Sequence, residues 1–392
     1  DALEPTEDAS GLRRLALLNA QVLTQQGRYV SALRQLVRLE ARFPQDPDVL
    51  LARARFDAER GRLADADRHL AAARAHAPER TDIVRLSRLR AWERAPRASV
   101  EMERRSITSA WDERSTRLTL DAPLRPYMPT SLLVERRQVT AAGTPEAARS
   151  TAQFDRDVSR LELALERPLT TASRFRTTVF GTSGGVGGGI TVSHSDVRGQ
   201  LDVVVESGRP FWDLLEAALD DGRRSRVGAT RHWRLRPDTS AWLQAGWHRY
   251  QLASGAREDT TAVSAGLVRT VRHNEPSITL QYGLDRETVR RRSTPVTAPG
   301  AARLHLPPFG REVHLLGASG RASFQRRWEV EGSLGYTLDR LGGRGTFFTA
   351  KVTPRPGERL GVGLWVDRRQ FTMGTSQLMF RAGVQLTMSV VP

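Results

Sequence analysis

Gly181-Thr182-Ser183-Gly184-Gly185 has the G-x-S-x-G spelling of a nucleophile elbow, which would make Ser183 a nucleophile for acyl transfer. That chemistry needs a strand before the serine and a helix after it. Here Val186-Gly187-Gly188-Gly189 and the strand-like Ile190-Thr191-Val192 follow, which describes a loop or hairpin. The glycine run is no phosphate cradle either, because no Lys-Ser/Thr pair follows it and the only lysine is Lys351. The eight histidines, His69, His76, His194, His232, His248, His273, His305 and His314, contain no H-E-x-x-H pair. His69 and His76 stand seven apart on a helix with no carboxylate at metal spacing. No catalytic, metal-ligating or cofactor-binding residue is assigned, and no cofactor is expected.

What the chain offers instead is charge laid out on alternating strands. Arg160-Leu161-Glu162-Leu163-Ala164-Leu165-Glu166 puts leucines on one face and ionisable groups on the other. The same parity puts Arg160, Glu162, Arg174, Arg176, Arg198, Asp202, Arg381 and Gln385 on polar faces. If the strands curl around a passage, these eight are its candidate lining. An ordinary solvated face, with Glu162, Glu166 and Asp202 in salt bridges to the arginines, is the plainer account of the same residues.

Net charge is +16. Up to residue 97 there are 18 arginines against 14 carboxylates, a net of +4, and the rest of the chain carries +12. Near-exclusive use of arginine reads as a GC-rich genome, and the excess could line a pore. The arginines are interleaved with apolar residues and form no patch, so a nucleic-acid partner is not expected. Cysteine is absent, which excludes disulfides and thiolate metal sites and suits a cell-envelope protein. The longest purely apolar runs are three or four residues, against the ~20 that a membrane helix requires. If the chain spans a membrane, it does so as a barrel.

Two segments superimpose at a shift of 34 residues: Gly27-Arg28-Tyr29-Val30-Ser31-Ala32 and Gly61-Arg62-Leu63-Ala64-Asp65-Ala66. Leu36 maps onto Leu70, and Pro44 onto Pro78. This is the tetratricopeptide period, with glycine at the turn, alanine where helices pack and proline at the stop. A third unit starts near Thr81, and its first helix runs to about Trp92. A short solenoid buries its ends poorly, so further repeats are expected upstream of Asp1, and the absence of a visible signal peptide fits a mature or truncated chain. The repeat's concave groove would be lined by Arg14, Leu17, Gln21 and Thr24, then Asp48, Leu51, Arg55 and Ala58, as a candidate partner-binding surface.

After Pro96 the helical period gives way to alternation. Strands are expected near 100–109, 115–121, 130–139, 156–166, 172–180, 189–194, 197–206, 223–236, 239–252, 259–272, 276–290, 311–324, 327–339, 345–353, 358–370 and 377–390. Sixteen is an even number, as barrels require, and is wide enough for an aqueous channel. Long polar connections, 141–153 and 291–311, look like extracellular loops. Pro210–Gly222 breaks the pattern as a short helix, expected at an interface or periplasmic turn in preference to a plug. The last strand, Arg381–Val390, alternates cleanly. At roughly 3.3 Å per residue and a tilt of about 45° its ten residues span about 23 Å, close to the apolar band of an outer-membrane barrel. It is expected to pair with the first strand near Val100.

The fold class is therefore a short tetratricopeptide solenoid (1–97, periplasmic) followed by a transmembrane antiparallel β-barrel of about 16 strands (98–392), taken as monomeric. This architecture resembles the outer-membrane exopolysaccharide exporters that serve cellulose, poly-N-acetylglucosamine and Pel polymers. The likeness is closest to the Pel type. It is carried by the repeats at Gly27–Pro44 and Gly61–Pro78, by Phe211–Tyr250 with Arg226-Val227-Gly228-Ala229-Thr230, and by Leu280-Gln281-Tyr282-Gly283-Leu284-Asp285. The resemblance implies an exopolysaccharide as cargo, outer-membrane lipid as surroundings, a periplasmic synthase-complex or polysaccharide-modifying protein as partner, and no enzymatic step. Arg381-x-Gly383-x-x-Leu386-x-Met388 is similar to a barrel-insertion signal, although the chain ends Val390-Val391-Pro392 without the usual aromatic residue. A Pel-type polymer is expected to be cationic, and an arginine-rich lumen would repel it. Either the charge lies elsewhere or the polymer is neutral or anionic. A solute-specific anion porin and a barrel-anchored receptor or adaptor are the other readings.

Overall fold

The computed structural model describes residues 5–107, 111–125, 128–142, 153–170, 172–196, 198–293, 306, 310–324, 328–340, 343–354, 360–371 and 377–389. Most of the two long connections, 143–152 and 294–305, lies outside these residues, as do 341–342, 355–359 and the C-terminal Val390-Val391-Pro392.

Five helices come first: α1 (Pro5–Gln25), α2 (Tyr29–Arg42), α3 (Pro47–Glu59), α4 (Leu63–His76) and α5 (Thr81–Arg94). Gly27 and Gly61 turn the chain between paired helices at φ +74° and +73°, a conformation that glycine adopts at no steric cost. Ala32 and Ala66 are buried where neighbouring helices approach. At the start of α3 the Asp46 carboxylate accepts from the backbone N–H of Asp48 (2.9 Å) and Val49 (3.1 Å), and Pro47 occupies the first turn. His69 is flanked by carboxylates after all: its ring lies 3.0 Å from Asp57 and 3.1 Å from Glu40, on neighbouring helices. Arg53 pairs with the same two carboxylates, 3.2 Å from Glu40 and 3.6 Å from Asp57. No metal-ligating cluster is present among the described residues.

The strands are β1 (Arg97–Ile107), β2 (Trp111–Arg125), β3 (Met128–Ala142), β4 (Gln153–Pro168), β5 (Ser173–Thr182), β6 (Gly185–Asp196), β7 (Gly199–Pro210) and β8 (Arg223–Arg236). They continue with β9 (Thr239–Gln251), β10 (Arg257–Arg272), β11 (Ser277–Ser293), β12 (Arg311–Phe324), β13 (Trp328–Asp339), β14 (Arg344–Pro354), β15 (Leu360–Phe371) and β16 (Gln377–Ser389). One short helix, α6 (Leu215–Leu219), joins β7 to β8. All sixteen strands are antiparallel to their neighbours and β1 pairs with β16, so the barrel is closed. The G-x-S-x-G segment is the tight β5–β6 hairpin, with no helix after the serine.

Register fixes which side of the wall each residue occupies. Met102, Leu118, Leu163, Val203, Leu243, Leu280, Leu334 and Leu364 all project outward and are exposed. A continuous exposed apolar band of this kind suits hydrocarbon, not water. Arginines outside the band project outward near the strand ends: Arg104, Arg136, Arg269 and Arg286 are each more than 60% exposed. Part of the positive excess is therefore outside the barrel, at the level of lipid headgroups.

The closing seam runs from Arg97 opposite Ser389 to Ile107 opposite Met379. Leu386 faces Val100 on the outer side with 46% exposure, while Gln385 faces Glu101 on the inner side. Leu386→Arg should therefore cost about 2–4 kcal/mol at mid-band and stop assembly, and Gln385→Arg should assemble. Heat-modifiable gel mobility of membrane fractions checks this; equal assembly of both variants would contradict the assigned faces.

Candidate functional site: the lumen and its plug

β1 leaves α5 after two residues, so the turns joining β2–β3, β4–β5, β6–β7 and β8–β9 lie at the mouth nearest the helices. The β7–β8 connection lies at the opposite mouth. Residues 211–222 fold inward there, contrary to the expectation of a periplasmic or interfacial turn helix. The physical reason is visible in their side chains. Phe211, Trp212, Leu214, Leu215, Ala217, Ala218 and Leu219 are all buried, and Asp213 is the one exposed residue between Phe211 and Leu219, so most of the segment's surface needs an interior.

The interior is supplied by the barrel wall and by the β9–β10 and β11–β12 connections. Leu215, Ala218 and Leu219 join a cluster with Ile107, Trp111, Val139, Ala141, Val158 and Met379 from β1–β4 and β16. Phe211, Leu214 and Ala217 join Tyr250, Leu252, Ala256 and Leu306 on the other side. Phe211 N–H donates to Gly222 O and Gly222 N–H to Ala217 O, both at 2.7 Å, which pinches the neck of the loop. Arg105, six strands around the ring from β7, donates to the Trp212 carbonyl at 3.2 Å. Asp220 receives the backbone N–H groups of Ala253 (2.9 Å) and Ser254 (3.1 Å), and Asp221 pairs with Arg156 at 3.0 Å. The segment is a plug tied to both sides of the lumen.

Below the plug, the β1–β8 wall is a lattice of ion pairs. Glu135, fully buried, receives Arg160 (2.6 Å), Arg137 (2.7 Å) and Arg117 (3.2 Å). Arg137 also reaches Glu113 at 3.1 Å, and Arg105 pairs with Glu113. Arg209 bridges Glu162 (3.1 Å) and Glu206 (2.6 Å), and Arg226 joins Glu206 at 2.6 Å. Charges so desolvated persist because each has opposite partners; deleting one partner of such a pair typically costs about 3–5 kcal/mol.

Of the eight residues singled out as a lining, seven face the interior. Arg160 and Glu162 belong to the lattice. Arg174 donates to Glu166 at 3.2 Å, and Arg176 stands opposite Glu166 across the β4–β5 ladder. Asp202 accepts from Gln200 at 2.7 Å. Arg381 holds Glu103 at 2.7 Å, and Gln385 lines a luminal cavity of about 740 Å³. Arg198 is misplaced: it sits exposed in the β6–β7 turn, where Asp196 accepts its N–H at 2.7 Å. Parity could not place it, because the turn begins there.

Among the helices, Arg14, Leu17, Gln21, Thr24, Asp48, Leu51 and Arg55 do line one groove, a cavity of about 1050 Å³, whereas Ala58 does not line it. The groove's far wall is the barrel itself, through Arg234 and Arg236 at the end of β8 and Pro237 and Asp238 of the β8–β9 turn. Arg60 lies over the Tyr29 ring at 3.7 Å, with Arg234 at 6.0 Å from the same ring. Burial, with Arg234 adding to it, pushes the Arg60 guanidinium below its ordinary value.

A tetratricopeptide-repeat family model matches residues 23–92. No curated protein matches the sequence significantly. Among solved structures, the chain is similar to a bacterial polysaccharide outer-membrane secretin, with a TM-score of 0.53 and 8% identity over 76% of this chain and 99% of that one. Similarity is lower to OprB of Pseudomonas putida (TM-score 0.41, 7% identity, 76% and 93% covered). It is lower again to the toluene transporter TbuX of Ralstonia pickettii (TM-score 0.39, 12% identity, 76% and 90% covered). At 8% identity the first likeness is one of fold, an outer-membrane type of barrel.

The plug makes a measurable claim. Replacing residues 212–221 by a short Gly-Ser linker should raise single-channel conductance in planar bilayers several-fold over the intact chain. Unchanged conductance would show that the segment does not obstruct the passage.

Proposed function

We propose that the chain is a non-enzymatic outer-membrane channel that exports an exopolysaccharide, with its helical repeats in the periplasm. The observation that carries this reading is the repeat groove, which opens directly against the β8–β9 turn at one mouth of the barrel. A pore for small solutes has no need of a docking surface at its entrance; a channel that must receive a polymer from a partner does. The groove would hold a synthase-complex or polysaccharide-modifying protein, through Arg14, Leu17, Gln21, Asp48, Leu51 and Arg55, and bring the emerging chain to the lumen.

Conduction in this reading is passive. Inward polar side chains exchange hydrogen bonds with sugar hydroxyls as the polymer slides. The plug keeps the far mouth shut to small solutes between episodes of transport. The similarity in fold to a polysaccharide secretin is consistent with this assignment. The ion-pair lattice weighs against an anion-selective porin, because the arginines on that wall already hold carboxylates. The same pairing softens the objection that a cationic, Pel-type polymer would be repelled.

Deleting the gene should abolish surface polymer while the synthase stays active and the product accumulates inside the cell, and a chain lacking residues 1–94 should restore secretion poorly. Polymer at the surface in wild-type amounts without the chain would sink the proposal.

A further inference from the structure

The lumen has two unlike walls. Opposite the ion-pair lattice, the strands β11–β16 carry small hydroxyl and amide side chains inward: Thr279, Gln281, Ser319, Ser333, Thr349 and Gln385 line the 740 Å³ cavity. This cavity lies in the half of the barrel nearer the helices, below the plug. Its ionisable residues are balanced in sign. Arg321 reaches Glu331 at 3.2 Å, Arg381 holds Glu103 at 2.7 Å, and Lys351 stands across the β13–β14 ladder from Glu331.

The aromatic residues on this side are seated in a particular way. Trp365 lies against Gly383 of the next strand so closely that a Cβ there would come within 2.6 Å of the ring. Phe347 lies against Gly335, where a Cβ would also come within 2.6 Å. Each ring rests on the bare backbone of the neighbouring strand, and the Arg381 guanidinium stands 5.2 Å from the centroid of the Trp365 ring. Both side chains are only half-buried. Phe347 is paired one level nearer the plug, since it stands opposite Arg369 while Trp365 stands opposite Lys351. The four-residue offset is roughly 13 Å along the strand, the reach of a short oligosaccharide.

Aromatic platforms set among hydroxyl and amide groups, with no surplus charge, match one ligand chemistry. Pyranose rings present C–H faces that stack on aromatic rings, and their hydroxyls exchange hydrogen bonds with Ser, Thr and Gln. A charged polymer would need a surplus of the opposite sign, which this wall does not offer. We propose that the β11–β16 wall is a binding subsite for an uncharged, hydroxyl-rich glycan, with Trp365 as its stacking platform. The proposal rests on the export reading and names the class of its cargo.

Isothermal titration of the full chain in detergent with cellohexaose (uncharged), a chitosan hexamer (cationic) and hexagalacturonate (anionic) tests it. Cellohexaose should bind, and both charged hexamers should bind about tenfold more weakly or less. Trp365→Ala should weaken cellohexaose about tenfold, Trp365→Phe should retain most of the affinity, and Thr349→Val should weaken it about fivefold. Each variant is checked for a folded band on unheated gels, so loss of binding is not mistaken for loss of the barrel. Tighter binding of either charged hexamer, or unchanged affinity in folded Trp365→Ala, overturns the subsite. If secretion depends on the chain but no hexamer binds, the subsite fails and export stands. If the chain is dispensable for secretion yet cellohexaose binds at Trp365, export fails and the subsite stands.

Discussion

A sheet in hydrocarbon has no water to satisfy an unpaired edge, so it must close on itself. Here closure rests on one seam, between the first strand after the helices and the last strand of the chain, eleven residue pairs from Arg97–Ser389 to Ile107–Met379. Everything else follows from that ring. Sixteen strands enclose a lumen too wide for wall side chains alone to fill, so its contents must be supplied by other means. On β1–β8 long arginines reach inward and are held by glutamates; at the far mouth a loop folds in; on β11–β16 short side chains leave a cavity.

The plug explains an inversion of the barrel's own pattern. Through most of its height the outer face is apolar and the inner face polar. At the far mouth the faces exchange roles: Ile107, Trp111, Val139 and Val158 point inward against the plug, while Arg104 pairs outward with Asp112, and Arg136 with Asp157. The inner surface there is an apolar core, and the outer surface has risen past the apolar band.

That inversion also marks where the sequence stops being legible. Alternation locates every strand, because lipid and lumen impose opposite demands on adjacent residues along each stave. Only 115–121 of β2 reads as a strand from sequence, whereas the strand runs from Trp111 to Arg125, since inward Trp111 and outward Asp112 break the rule that marks the middle. The 34-residue repeat likewise reveals the helices and all the expected groove residues but Ala58. The fit of that groove against the β8–β9 turn is a contact between segments about 200 residues apart, which no local period encodes. The plug did leave one sign: seven of the nine residues from Phe211 to Leu219 are apolar, more than the single apolar stripe of a surface helix holds. Trp365 left none, because its placement depends on Gly383 opposite it in another strand.

Under the proposed export function, passage of the polymer requires the plug to leave the far mouth. The chain has no cysteine, so a pair introduced at Ala141 and Ala218, both in the plug's apolar cluster, can be bridged by oxidation or a short bis-maleimide without competing thiols. Polymer secretion should stop when the plug is bridged to the wall and resume, for the disulfide, on reduction, with the amount of folded barrel unchanged. Secretion at the unbridged rate through a fully bridged barrel would contradict the account.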